Sequence, residues 1–140
     1  MRITPAALLL AIAPLLTGCG DSAAAAHARQ QSVEALAALR SYGEDQREAF
    51  VQELTARMTL LDRQLDELKA RSARSAAGAK AEIEDALAGL QEKRDALADH
   101  LLHVKQVSQD GWTRSRDATV DSFENLTDGI NAAAGRFGDA

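Results

Sequence analysis

Leu54, Met58, Leu61, Leu65 and Leu68 recur at alternating steps of four and three. That spacing puts one apolar stripe along a helix and constrains this chain more than any other feature. Ser72, Ser75 and Ala79 continue the stripe with small residues. Ile83, Leu87, Leu90, Arg94, Leu97, Leu101 and Val104 then take it up again. Apolar residues at the a and d positions of a heptad form the seam along which helices wind around each other. The chain has only two prolines, Pro5 and Pro14, and both precede this region. An alanine-, leucine- and glutamate-rich sequence with 4% aromatic residues points to long helices. The expected class is all-α.

The pattern admits two topologies. The steps from Ala79 through Ile83 and Leu87 to Leu90 place eleven residues in three turns. Such a spacing relaxes left-handed supercoiling and lets one helix continue. Residues 75–80 are mostly good helix formers, and one glycine costs only about 1 kcal/mol. These points favour one long heptad helix over 43–107, about 95 Å at ~1.5 Å per residue. The alternative is an antiparallel hairpin turning near residues 75–78, supported by the similar lengths of the two halves.

The flanks are simpler. Residues 23–42 are rich in alanine, with a weak stripe of Val33, Leu36 and Leu39. Ser41 and Glu44 have capping-box spacing, and Gly43 suits a helix stop, so a joint falls at 41–44. Ser108-Gln109-Asp110-Gly111 combines cap and turn residues. Trp112, Arg116, Thr119, Phe123, Leu126, Ile130, Ala133 and Phe137 then mark a C-terminal amphipathic helix over 108–137. It is expected to fold back, with Trp112 and Phe123 packing on the 97–104 end of the long helix.

The N-terminus carries an address. Arg2 precedes an apolar run from residue 6 to 16, too short for the ~20 residues that span a bilayer. It fits a signal peptide over 1–18. The run closes on Leu16-Thr17-Gly18-Cys19, with the only cysteine of the chain. This stretch resembles the lipobox of bacterial lipoproteins. The resemblance implies a diacylglycerol thioether on Cys19, cleavage before it, and usually a fatty acyl group such as palmitate on its amine. Stable anchoring needs two membrane signals, which a multiply acylated cysteine supplies. Residues 19–22 would then be the lipidated cysteine and a tether. Asp21 stands one place beyond the position at which, in enterobacterial lipoproteins, an aspartate favours the inner membrane. By that analogy the expected location is the periplasmic face of the outer membrane.

Residues 44–137 further resemble small bacterial coiled-coil proteins described as stress-responsive and grouped with apolipoprotein-like sequences. The shared features are the leucine heptads, the small-residue interruption followed by Lys80 and Glu82, then Val104-Lys105, Trp112 and the Phe123/Leu126 helix. That family has no assigned chemistry, so the resemblance implies a stress role and no catalytic residue.

Charge and composition exclude several functions. The formal net charge is -5, and loss of Arg2, the one charge before Cys19, moves it to -6. Nucleic-acid binding wants a basic footprint. Anionic lipid is likewise a poor target by overall charge. His100 and His103, with Asp95 and Asp99 nearby, are the one cluster reminiscent of a metal site, but no Cys or Glu completes a known motif. They read instead as a solvated face. No nucleophile–base arrangement, phosphate loop or paired-carboxylate pocket is legible, so no enzyme activity, cofactor, metal or small-molecule substrate is expected.

Arg94 stands at a seam position. It either selects register and partner, or lays its stem along the seam and extends its head to water. Glu53–Arg57 and Glu67–Arg71 are favourable i,i+4 pairs. Arg57 and Asp62 would attract across a parallel dimer. The leading expectation is a lipid-anchored structural or interaction protein of the envelope. It would self-associate or dock on a partner through Leu54, Met58, Leu61, Leu65, Leu68, Ile83, Leu87, Leu90, Leu97, Leu101, Val104, Trp112, Phe123, Leu126 and Ile130. The alternatives are a lipid-surface binder using the stripe of residues 112–137, and a regulatory subunit docking one helix on an envelope partner.

Overall fold

The computed structural model describes residues 20–137, with side-chain environments from residue 30. Cys19 and the segment before it lie outside the described residues. Among the described residues every regular element is helical. The chain divides into two units between Ser32 and Val33.

Helix α1 spans Gly20–Arg40. Its alanines carry the best intrinsic helix propensity. It stops where the Ser41 hydroxyl donates back to the Ala38 carbonyl at 2.6 Å. The capping box therefore does not start at Ser41. It is Gly43 N–H that donates to the Gln46 side chain, at 3.1 Å, and opens a short 3-10 turn over Glu44–Gln46.

Helix α2 follows over Arg47–Arg74 and α3 over Ala77–Val104. The single long helix over 43–107 is thus not formed, and the hairpin alternative is. Ser75 and Ala76 both adopt extended backbone, at ψ 155 and 156°. Before them, the Ser75 hydroxyl donates to the Arg71 carbonyl at 2.7 Å. After them, the Lys80 amide donates to Ala76 O at 2.8 Å and begins the next helix. The physical reason lies in the small residues. Helix propensity favours continuation by only a few tenths of a kcal/mol per residue. Folding the two leucine stripes together removes several large side chains from water, at ~1.5–3 kcal/mol each.

Gln109–Gly111 form a second 3-10 turn, entered from Ser108, and α4 spans Trp112–Phe137. The break expected at 108–111 is present, and α4 folds back onto α3 and α2. Helices α2, α3 and α4 make an up–down–up bundle within the second unit. Its core holds Leu54, Met58, Leu61, Leu65 and Leu68 from α2. Ile83, Leu90, Leu97, Leu101 and Val104 come from α3, and Trp112, Val120, Phe123, Leu126, Ile130, Ala133 and Phe137 from α4.

Candidate functional site

The seam residues read from the sequence are brought together, but inward. All of them are buried in the core except Leu87, which is half-buried and packed against it. The ridge that sequence offers to a partner is covered by this chain's own helices. Three-helix packing explains this: each stripe meets two neighbouring stripes of the same chain, at no cost of a second molecule's translational freedom.

The polar seam residue has a partner in the same chain. Arg94 Nε and Nη2 donate to Asp62 Oδ1 and Oδ2 at 3.0 and 3.2 Å. Its side chain is 31% exposed, so the stem lies along the bundle while the head reaches the α2 carboxylate. The hydrogen bond to Asp62 is the main cause that raises the Arg94 pKa above its ordinary value. Arg57 pairs with Glu53 at 2.8 Å. Within the chain, then, Arg57 and Asp62 each have another partner, Glu53 and Arg94.

A second cluster sits within the second unit, where the last turns of α1, from Val33 on, lead into the bundle. Tyr42, Phe50 and Trp112 stack edge-on, with ring centroids 5.8 and 5.4 Å apart. The Tyr42 carbonyl accepts from Trp112 Nε1 and from Arg116 Nη1, both at 3.0 Å. Trp112 therefore packs on α2 through Phe50 and on the α1–α2 joint through the Tyr42 carbonyl. Arg47 lies 5.4 Å from the Trp112 ring centroid and donates to the Lys105 carbonyl at 3.1 Å. On α1, Leu39 is fully buried, and Arg40 reaches Asp121 at 2.6 Å and Glu124 at 3.5 Å. The bond to Asp121 is the chief cause that raises the Arg40 pKa.

No family model, curated protein or solved structure matches the chain. The candidate site therefore rests on its own residues. Beside the joint is an open cleft of about 710 Å³ lined by Glu44, Asp45, Arg47, Glu48, Val51, Gln52 and Lys105. It holds no nucleophile beside a base. Arg47 is committed to Glu44 at 3.3 Å and to the Lys105 carbonyl. His100 and His103 are exposed on α3. Among the described residues no group of three His, Cys, Asp or Glu is placed to hold a metal ion. Also among them, no helix is long and apolar enough to cross a membrane.

Sequence reasoning missed Phe50 and Val120, both fully buried. Phe50 lies four residues before Leu54 and extends the α2 stripe by one turn, so its signal was available. Val120 lies beside Thr119, where a single-stripe reading keeps only one of two neighbours. Burial of both Thr119 and Val120 widens the α4 apolar face, as expected for a helix that meets two partners.

Proposed function

We propose that this chain is a lipid-anchored protein of the bacterial cell envelope, whose helical bundle acts as a structural or interaction body. The observation that carries this reading is Leu16-Thr17-Gly18-Cys19 at the end of a short apolar run behind Arg2. Acylation at Cys19 supplies the anchor, and α1 begins at the next residue, Gly20. The periplasmic face of the outer membrane is the compartment that the position of Asp21 favours, and a stress role follows from the coiled-coil resemblance. Because the leucine seam is consumed within the chain, a partner meets the outer faces and ends of the bundle. That arrangement also disfavours a lipid-surface role for the α4 stripe, which would have to leave the core.

Growth with an alkyne-bearing palmitate analogue tests the anchor. Label on the wild-type chain, absence of label on Cys19→Ser, and release of that variant from the membrane fraction are the expected outcomes. A processed chain whose Cys19 bears a free thiol overturns the reading.

A further inference from the structure

The α2–α3 turn carries a charge pattern that the whole-chain balance conceals. Over residues 68–81 there are four basic side chains, Lys69, Arg71, Arg74 and Lys80, and no acidic one. The rest of this acidic chain has more carboxylates than cations. In the fold these four side chains surround one end of the bundle, because residues 75 and 76 reverse the chain there. Ala76, Ala77 and Gly78 at the apex are exposed, and so are Lys69, Arg74 and Lys80. A side chain added at Gly78 would meet nothing within 4 Å. Arg136 lies at the same end but is paired with Glu82 at 3.2 Å, so it adds no net charge to the patch.

The neighbouring carboxylates compensate this patch weakly. Lys69 stands 3.8 Å from Asp66 and Lys80 stands 3.9 Å from Glu84, both at the outer limit of an ion pair. Among the described residues no carboxylate lies within ion-pair distance of Arg71 or Arg74. Local helix energetics explains only part of the pattern. Arg71 and Arg74 occupy the last turn of α2, where cations oppose the negative end of the helix dipole. Lys80 is near the start of α3, where a cation is unfavourable, and it precedes Glu84 in the poorer i,i+4 order. The first turn of α3 has no acidic residue, and Ala76 at its N-cap has no side chain to cap it. Sequences depart from such local rules where another role is served.

We infer that this tip is a docking surface for the anionic phospholipid headgroups of a bilayer. A two-residue turn between antiparallel helices is convex, and small at its apex. Such a shape suits an extended, deformable field of anions, with long Lys and Arg side chains reaching around the apex. Basic residues clustered near an anionic surface add their attractions within a Debye length. The inference does not depend on acylation of Cys19.

Vesicle flotation of the full chain carrying Cys19→Ser tests it. Phosphatidylcholine vesicles set the baseline, including any contribution of the apolar N-terminal run, and vesicles with about 30% phosphatidylglycerol supply the anions. The expected result is a preference for the anionic vesicles of about tenfold or more at low ionic strength, removed by about 0.5 M salt. Arg71→Gln/Arg74→Gln/Lys80→Gln should abolish the preference, and Arg63→Glu, an exposed change elsewhere on α2, should leave most of it. Ala76→Asp should raise the thermal midpoint by capping α3 and still weaken anionic binding, which separates surface charge from folding. Equal flotation on both vesicle types overturns the inference. An undiminished preference in the triple variant also overturns it.

Discussion

Arg94 on α3 and Asp62 on α2 face each other across the hairpin in a two-point ion pair, at 3.0 and 3.2 Å. An arginine at a leucine position thus selects a partner helix within the chain. The two side chains are 31% and 40% exposed, so solvent screening discounts the pair. A double-mutant cycle of Arg94→Ala and Asp62→Ala should give a coupling of about 0.5–1 kcal/mol that shrinks with salt. From the arginine's side the folded pKa is raised. Its contribution is therefore full below the ordinary guanidinium range and fades only as pH rises through the raised value. Between pH 6 and 9, roughly, titration of Arg94 should add no slope to stability.

The hairpin itself can be measured. Spin labels at Arg63 and Gln91, both exposed, report the topology directly. One continuous helix would separate these backbone positions by about 42 Å. Packed antiparallel helices lie about 8–10 Å apart, so the expected label distance is under about 25 Å once the label arms are included.

Glycines in α3 and α4 should respond in opposite ways. A Cβ at Gly89 would meet nothing within 4 Å, so Gly89→Ala should stabilise by about 0.5–1 kcal/mol through helix propensity. A Cβ at Gly129 would come within 2.7 Å of Leu90 Cδ2, on a leucine that is itself buried. Overpacking costs about 1–3 kcal/mol. Gly129→Ala should forfeit the propensity gain and finish at or below wild-type stability in urea unfolding.

Trp112 is the only tryptophan of the chain, and it is 3% exposed. Its fluorescence should be blue-shifted when folded and should report unfolding of the joint. Trp112→Phe keeps the packing on Phe50 in part but removes the donor to the Tyr42 carbonyl. A loss of about 1–2 kcal/mol is expected. Trp112→Ala should cost about 3–5 kcal/mol.

The seam offers a test of its own destination. Leu97 is fully buried, and Leu97→Ala should lower stability by about 2–5 kcal/mol. Because the seam closes within the chain, that loss should be independent of protein concentration. A concentration-dependent midpoint would instead mean that the stripe is shared between copies.

The amino-acid sequence by itself determined that the chain is helical, where its flanking breaks fall, and which side chains are apolar enough to be buried. Those properties depend on propensity, caps and a period near 3.6 residues, all of them local. Only the tertiary structure decided that residues 75–76 reverse the chain and that Arg94 finds Asp62. It likewise decided that Trp112 ties α4 to Phe50 and Tyr42. The heptad stripe is compatible with a partner of any origin, since a buried leucine gains the same from a helix of its own chain as from another. Two extended residues cost little, and connectivity makes the intramolecular partner the nearer one.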